Sequence, residues 1–202
     1  MLVGLAILGT LLVNPLAAYA LSRYRLKATQ KILLFLLATM SFPAEVAMIP
    51  NFLLLRDLHL LNTYGALILP ALASGFSIFL LKGFFDSLPP ELYEAASIDG
   101  AGEWTMFWRI TMPLCQPILA YMVLGTFVAF YGSFMWAFLV CQDERMWTLM
   151  VWLYQFQLKY TAEIQMPYMV MAGFVITSIP TLLVVVFCQR IILRGIVIPS
   201  MK

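Results

Sequence analysis

The residues able to carry catalytic or metal chemistry are few in this sequence and widely separated. His59 is the single histidine, and the cysteines at positions 115, 141 and 188 show no metal-ligand or redox spacing. A Ser–His pair or a His/Cys metal centre therefore has almost nothing from which to form. The phosphate-binding pattern G-x-x-x-x-G-K-[ST] is also absent from the sequence, so the chain lacks this loop for binding nucleotide phosphates.

Glu45 is the one ionisable residue that lies well inside a long apolar run. An isolated charge at the centre of a bilayer costs about 2.5–3.5 kcal/mol on membrane-insertion scales. A helix rising ~1.5 Å per residue from Lys31 places Glu45 about 21 Å along the run, toward the outer part of a bilayer. Two interpretations stay open: an acid facing a transport path or another subunit, or a carboxylate that reaches the interface or caps a helix restarted after Pro43.

Residues 87–113 form the most informative stretch and read SLPPELYEAASIDGAGEWTMFWRITMP. The Pro89-Pro90 pair, followed by acidic residues, predicts the start of a helix. Asp99-Gly100 predicts its end, because glycine readily adopts a left-handed conformation. A second short helix is expected over residues 102–111, with Pro113 closing it. The segment is thus a helical hairpin whose helices are too short to span a membrane.

The predicted hairpin carries apolar side chains that need a cover. Its first helix has a small apolar face, and its second places Trp104, Phe107 and Trp108 on one side. An amphipathic hairpin lying on lipid headgroups would explain this pattern, and so would a docking element for a cytoplasmic protein. The physical chemistry of the segment alone does not choose between them.

The amino-acid composition indicates the class of protein to which this chain belongs. Hydrophobic residues make up 63% of the 202 positions and charged residues only 11%, and mean hydropathy is +0.92, which nearly excludes a soluble enzyme. We predict an all-α integral membrane protein with five membrane helices at residues 2–21, 32–54, 63–85, 114–138 and 167–189. Residues 146–158 are too short to cross and are expected to be interfacial or re-entrant. The net charge of +2 indicates no nucleic-acid partner.

The basic residues predict how the chain lies across the membrane. Of the 12 Lys and Arg residues, all but Arg56, Arg145 and Lys159 fall on one side when five spans alternate. Because cytoplasmic loops are enriched in Lys and Arg, the N-terminus is expected outside and the C-terminus in the cytoplasm. The hairpin at residues 87–113 then faces the cytoplasm.

Several motifs carry a resemblance to a known family. The run Glu94-Ala95-Ala96-Ser97-Ile98-Asp99-Gly100-Ala101, followed by Pro113, resembles the EAA loop of permease subunits of binding-protein-dependent ABC importers. The runs Ala17-Ala18-Tyr19-Ala20-Leu21-Ser22-Arg23 and Gly83-Phe84-Phe85 are similar to the MalG-like carbohydrate-uptake branch. The resemblance covers essentially the whole chain. It implies a type I importer permease with one transmembrane domain over residues 1–202 and a coupling loop at 87–113.

The sequence departs from the family pattern in three places. Family members usually have one more helix upstream, so the five spans correspond to a family core of six with the first missing. Tyr131-Gly132-Ser133-Phe134 stands where the family often has Trp-Asn-acid-Phe, and the tail at residues 198–202 also differs. Substrate contacts and tail contacts inferred by analogy at these positions are therefore open.

The resemblance implies partners and residue roles. The loop is expected to sit in a groove of a cytoplasmic ABC ATPase dimer, which binds ATP and Mg, while this chain binds no cofactor. A second permease subunit forming a heterodimer, an extracytoplasmic solute-binding protein and the lipid of a bacterial inner membrane complete the partners. The expected contacts with the ATPase come from Glu94, Ala95, Ala96, Asp99, Gly100, Ala101, Trp104, Phe107 and Trp108.

The expected cargo is a sugar or an oligosaccharide, because the flanking motifs resemble the carbohydrate branch. Glycerol phosphate, a polyamine or an amino acid are alternatives within the same importer class, and a membrane scaffold or an integral membrane enzyme is the alternative from another class. Sugar faces stack on aromatic rings and sugar hydroxyls bond to polar groups, although aromatic residues also form interfacial belts. The candidate path residues are Glu45, Ser74, Ser77, Tyr131, Ser133 and Trp136.

Overall fold

The computed structural model describes residues 1–24, 27–162 and 167–196, and all regular structure in these ranges is helical. Arg25, which entered the charge count, and the tail at residues 198–202 lie outside the described residues. The α-helices of the described residues are α1 (Leu2–Arg23), α2 (Thr29–Met40), α3 (Ala44–Asp57), α4 (Tyr64–Ile68), α5 (Gly75–Asp86), α6 (Pro90–Ile98), α7 (Glu103–Met106), α8 (Met112–Leu114), α9 (Gln116–Tyr131), α10 (Met135–Val140), α11 (Leu149–Ala162) and α12 (Pro167–Ile196).

The described helices include two to five candidate membrane spans. By length and composition, α1 and the part of α12 at Tyr168–Ile192 can each cross a membrane unaided. Three further pairs qualify only if each is counted as one bent span: α2 with α3, the residues 64–71 with α5, and the residues 103–114 with α9. The bend within the last pair, at Cys115, measures 80°. The upper number agrees with the five predicted spans, but three of them are broken rather than continuous.

Prolines and helix caps explain two of these breaks. Pro43 is the N-cap of α3, with φ −60° and ψ 133°, and proline disfavours helix at the residue before it. Pro70 lies in a 3-10 turn at Leu69–Ala71. Ser74 then restarts the chain as the N-cap of α5, where its side chain accepts a hydrogen bond from the Ser77 N–H. A hydropathy profile merges these pieces because both sides of each break are apolar.

Two further bounds differ from the prediction. The predicted span at 114–138 ends early, since α9 stops at Tyr131 and Met135–Val140 forms the separate helix α10. Helix α11 has 14 residues, a length of about 21 Å, which is shorter than a hydrocarbon core of about 30 Å. The stretch expected to be interfacial or re-entrant is therefore helical and still too short to cross.

The contacts divide the chain into two compact units. The first unit contains residues 1–7, 43–71 and 124–187, and the second contains 8–42, 72–123 and the chain from Cys188. The core of the first is built on Leu55, Ala66, Leu67, Ala137, Val140, Cys141 and Val151. The core of the second is built on Ala18, Tyr19, Ile78, Leu81, Phe85, Tyr93, Met106, Phe107, Cys115 and Met122. A single transmembrane domain over the whole chain stays a prediction.

Candidate coupling hairpin and transport cleft

The hairpin predicted at residues 87–113 is formed by α6 and α7, with Gly100 at the turn between them. Gly100 has φ 77°, in the left-handed region that glycine adopts without steric penalty. The Gly100 N–H donates to the Ser97 carbonyl at 3.1 Å, and the Ala101 N–H donates to the Ala96 carbonyl at 2.9 Å. These two bonds form a Schellman motif, which satisfies the last carbonyls of α6. The predicted helix end at Asp99-Gly100 is confirmed.

Large apolar side chains are exposed around this turn. Ile98 is 86% exposed, Trp104 66% and Trp108 45%. Of the small and acidic residues expected to contact an ATPase, Glu94, Ala95, Asp99 and Gly100 are exposed, whereas Ala96 and Ala101 are half-buried against the core. An apolar patch of this kind on a short hairpin is typical of a surface that a partner or a membrane covers.

Phe107 is buried, although it was expected to contact the ATPase. It is only 1% exposed, and its ring packs edge-on against Tyr19 of α1 with centroids 5.2 Å apart. Trp108 in turn packs edge-on against Phe107 at 4.9 Å. Phe107 is therefore a core residue that holds the second hairpin helix to α1, and its side chain is not available to a partner.

The second helix of the hairpin does not end at Pro113 as predicted. Residues Phe107–Thr111 form a π-helical turn, and the helix continues through Pro113 to Leu114. Thr111 stabilises the wide turn, because its hydroxyl donates to the Met106 carbonyl five residues earlier at 3.2 Å. The chain bends by 80° only at Cys115, between the segment 103–114 and α9. The wider turn leaves room for the proline ring, which would otherwise crowd the preceding helical turn.

Polar side chains fasten the base of the hairpin to the end of α1. The Tyr19 hydroxyl donates to Glu103 Oε2 at 2.7 Å. Arg23 Nη2 lies 3.9 Å from Glu103 Oε1, and its guanidinium carbon lies 4.3 Å from the centroid of the Tyr93 ring in α6. Sequence reasoning missed these residues. The only local signal was the i, i+4 spacing of Tyr19 and Arg23, which places them on one face of α1.

Tyr93 is the buried residue of α6, and it is bonded across the hairpin. Its hydroxyl donates to the Thr111 hydroxyl at 2.9 Å, because the single hydrogen of Thr111 is already donated to the Met106 carbonyl. Burial raises the pKa of the Tyr93 hydroxyl above its ordinary value of 10.0. The phenol is therefore neutral at physiological pH and remains able to donate.

A second polar anchor, also missed from the sequence, joins α1 to the turn before α5. Asn14 is 1% exposed. Its amide nitrogen donates to the carbonyls of Thr10 at 2.9 Å and Leu72 at 3.2 Å, and its amide oxygen accepts from the Ser74 N–H at 2.8 Å. Asn14 thus satisfies backbone groups that the break before α5 leaves without helical partners.

The first unit contains a cleft of about 410 Å³ that brings together three of the predicted path residues. Glu45, Ser133 and Trp136 line it, with Asn51 as a fourth polar residue and an otherwise apolar wall. Glu45 is exposed and lies in the first turn of α3, where a carboxylate is favoured by the helix dipole. The Trp136 indole is oriented by a 3.1 Å hydrogen bond from Nε1 to the Ala66 carbonyl.

The other predicted path residues lie in different surroundings. Tyr131 donates its hydroxyl to the Thr177 carbonyl at 2.8 Å and lines a separate pocket with α12 residues. Ser74 and Ser77 belong to the second unit, where Ser74 is the cap of α5. No group of three or more His, Cys, Asp and Glu residues able to hold a metal occurs in the part of the chain that the structure describes.

Known proteins are similar to this chain in sequence and in fold. The family described as binding-protein-dependent transport system inner membrane component matches residues 13–198. The sn-glycerol-3-phosphate transport system permease protein UgpE of Yersinia pestis is 35% identical over 189 residues, which is 94% of this chain and 67% of the relative. The arabinooligosaccharides transport system permease protein AraQ of Halalkalibacterium halodurans is 32% identical over 198 residues, covering 96% of this chain and 68% of the relative.

A solved structure agrees with this assignment. A bacterial ABC transporter involved in the import of the acidic polysaccharide alginate has a chain that matches with a TM-score of 0.83 and 26% identity, covering 93% of this chain and 70% of that one. Permeases of this kind are transport subunits that work with an ATPase and a binding protein. The chain therefore belongs to the binding-protein-dependent transport system inner membrane component family, and it is a permease subunit of an ABC importer rather than an enzyme.

Proposed function

We propose that the hairpin of α6 and α7 is the element through which this permease is driven by a separate ATPase. The observation that carries the proposal is the combination of an exposed apolar tip at Ile98, Trp104 and Trp108 with a base held rigidly by buried contacts. A firmly held hairpin passes on the movement of a bound partner as a rigid body. Glu94, Ala95, Asp99 and Gly100 lie at its exposed surface and would meet the ATPase.

The ATPase dimer would bind ATP and Mg, and its closure would push the hairpin and thereby move the membrane helices. A heterodimer with a second permease subunit would complete the path, with alternating access arising from rigid-body movement around it. This chain binds no nucleotide in the proposed scheme.

Cysteine crosslinking tests the docking step. Ser97→Cys is placed at the exposed tip, and the complex is purified with its ATPase and treated with a short bifunctional reagent. Cys115 and Cys141 are buried and so give little background reaction, whereas Cys188 is half-buried and is replaced by serine in all cysteine variants. We expect a crosslink to the ATPase, and we expect the yield of this crosslink to change when nucleotide binds. A hairpin that crosslinks only to lipid would refute the proposal.

We also propose that the N-terminus lies outside and the hairpin in the cytoplasm, as the distribution of Lys and Arg favours. A membrane-impermeant maleimide applied to intact spheroplasts tests the orientation. Asp57→Cys, at the exposed C-terminal end of α3, is expected to react at once. Ser97→Cys is expected to react only after the membrane is opened, and the reverse pattern would overturn the orientation.

The cargo that the cleft fits best is a sugar or an oligosaccharide. Trp136 and Phe130 offer aromatic surface, and Asn51, Ser133 and Glu45 offer hydrogen-bonding groups, within a cleft of about 410 Å³. UgpE, named for sn-glycerol 3-phosphate, makes a phosphate ester the second candidate. Among the described residues, the cleft lining includes the Glu45 carboxylate and no Lys or Arg, which disfavours an anion.

Binding measurements on the cognate binding protein separate the two cargo classes. The protein that stimulates ATP hydrolysis by the reconstituted complex is titrated with arabino-oligosaccharides and with sn-glycerol 3-phosphate. We expect binding and stimulation with the uncharged sugar. Stimulation by the phosphate ester alone would transfer the proposal to the second candidate.

A further inference from the structure

The last turn of α1 contacts both helices of the hairpin, and this arrangement has a mechanical consequence. Glu103, in the first turn of α7, accepts a hydrogen bond from the Tyr19 hydroxyl at 2.7 Å. Its Oε1 atom lies 3.9 Å from Arg23 Nη2. The same Arg23 lies over the ring of Tyr93, in α6, at 4.3 Å. One side chain of α1 thus reaches across the Gly100 turn and touches the hairpin on both sides of it.

We propose that Tyr19, Arg23 and Glu103 form a clamp that makes the hairpin and α1 move as one body, so that force applied at the tip reaches the membrane. The proposal rests on the proposed coupling function of the hairpin. Arg23 and Tyr19 are positioning residues in this scheme, since they act through the hairpin and not through contact with cargo or nucleotide.

The covalent connections of the hairpin show why a clamp is needed. On one side α6 follows α5 through the non-helical link at residues 87–89, and on the other side the chain bends by 80° at Cys115 before α9. Each connection is a point at which a helix can change direction without moving its neighbour. A body joined only through two such points transmits rotation poorly, and a third attachment removes that freedom.

The Arg23 half of this attachment is largely withdrawn from water, whereas the Glu103 side chain is 43% exposed. The Arg23 side chain is 27% exposed, its Nε is buried without a hydrogen-bond partner among the described residues, and its Nη2 also reaches the Met106 sulfur at 3.8 Å. A partly desolvated cation held between a carboxylate and an aromatic ring is screened less by water than an exposed one. Tyr19 adds apolar support through edge-on contacts of its ring with Phe85 and Phe107.

The same turn of α1 also reaches α5. The Ser22 hydroxyl donates to Asp86 Oδ1 at 2.6 Å, and Lys82 forms an ion pair with the same carboxylate. Three residues in the last turn and a half of α1, namely Tyr19, Ser22 and Arg23, therefore contact the helix before the hairpin as well as both helices within it. Because these contacts join α5 and the hairpin to one place on α1, we expect the end of α1 to be the point about which they move together.

The test uses the whole complex of both permeases, the ATPase and the binding protein in nanodiscs or proteoliposomes. Glu103→Gln keeps the shape of the side chain and an oxygen for Tyr19, and Arg23→Met keeps the length of the arginine stem while removing the charge. The matched control is Arg56→Met, because within the described part of the chain Arg56 pairs only with its exposed neighbour Asp57, at 3.0 Å. Basal ATP hydrolysis, binding-protein-stimulated hydrolysis and cargo uptake per ATP are measured for each variant.

The expected result is a loss of coupling with retention of assembly. In Arg23→Met combined with Glu103→Gln, basal hydrolysis and the Ser97→Cys crosslink to the ATPase stay at wild-type levels, while uptake per ATP falls by about tenfold. Arg56→Met behaves as wild type. Unchanged uptake per ATP in the double variant, with the crosslink retained, would overturn the clamp. Absence of the crosslink in the otherwise wild-type protein would instead overturn the proposed docking function.

A distance measurement distinguishes a clamp from a contact that only stabilises the fold. Spin labels are placed at Leu8 on α1 and Ser97 on the hairpin, both exposed and both in the second unit. In the wild type we expect one narrow distance that nucleotide does not change. In Arg23→Met the distribution is expected to broaden at unchanged thermal stability, and the reciprocal exchange of Arg23→Glu with Glu103→Arg is expected to narrow it again. A narrow distribution in Arg23→Met would contradict the proposal.

Discussion

The hairpin base and the cleft use their polar side chains in opposite ways. At the hairpin base, Tyr19, Tyr93 and Glu103 have each found a partner within the chain, at distances of 2.7 to 2.9 Å. In the cleft, the side chains of Glu45, Asn51 and Ser133 have no hydrogen-bond partner among the described residues, although Trp136 does. A region that transmits force must hold its shape, whereas a region that passes a ligand gains from groups that are still free to bind one. The substitutions that follow test this contrast.

The largest effect is expected at the hairpin turn. Proline locks φ near −65°, which is incompatible with φ 77° at Gly100. We expect this conflict to cost ~3 kcal/mol or more, which lowers the population of the native turn by over ~100-fold. Gly100→Pro should therefore abolish uptake while the protein still inserts in the membrane.

Gly102→Pro is the matched control for this prediction. Gly102 has φ −76° and is the N-cap of α7, a geometry that proline can adopt. Uptake by reconstituted complexes is the measurement, and equal losses in the two variants would show that the turn conformation is not what matters. The surroundings of Gly100 within this chain are open, so Gly100→Ala is expected to be milder, costing only the left-handed backbone, ~1–2 kcal/mol.

A second prediction concerns stability rather than transport. Asn14→Leu leaves the Ser74 N–H and the Leu72 carbonyl without their bonds, and an unsatisfied buried group costs about 1–3 kcal/mol. The midpoint of thermal unfolding of the purified complex should fall. Asn51→Leu, which removes an amide of the same size from the cleft lining, should leave the midpoint nearly unchanged. Similar midpoints for the two leucine variants would mean that the contrast between anchors and cleft is mistaken.

Whether the sequence predicted a feature depended on how far apart in the sequence its interacting residues lie. The turn at Gly100 was predictable because the helix start, the helix end and the glycine all lie within a few residues. The hydrogen bond from Tyr19 to Glu103 joins residues 84 positions apart. The residues that flank Tyr19 and those that flank Glu103 give no indication that the two side chains meet. Phe107 was misplaced for the same reason, since an aromatic on an amphipathic helix gives no sign of which neighbour covers it.

The spans were predictable in number and not in detail. Hydropathy located the apolar runs, but Pro43 and the Ser74 cap interrupt two of them without adding a charge, so the profile did not change there. The cleft was foreseen only as a set of six residues, of which the fold brings Glu45, Ser133 and Trp136 together. Which helices surround a site is a property of tertiary packing, and periodicity within one helix does not contain it.

A smaller effect is expected at Tyr93. Tyr93→Phe removes the bond to Thr111 but keeps the ring beneath Arg23, which should cost about 1 kcal/mol. Because burial raises the pKa of this hydroxyl, the unfolded chain loses the proton first, and the contribution of Tyr93 is complete below pH 10.0 and declines above it. Unfolding midpoints from pH 7 to 11 should therefore converge between wild type and variant at the alkaline end, and a constant gap would contradict the assigned burial.

The smallest effect on stability is expected at Glu45, and it separates the two possible roles of this carboxylate. The side chain is exposed in the first turn of α3, so Glu45→Gln should change stability by no more than about 0.5 kcal/mol. If the carboxylate only repels anions, uptake of an uncharged sugar in Glu45→Gln stays near the wild-type level, while Trp136→Ala, which removes the stacking surface, lowers it. If the carboxylate binds sugar hydroxyls, the two variants lose uptake together. We expect the first outcome, because a charge on an exposed helix turn acts on a passing ligand mainly through its field, whereas the indole fixed to the Ala66 carbonyl presents a surface in one orientation.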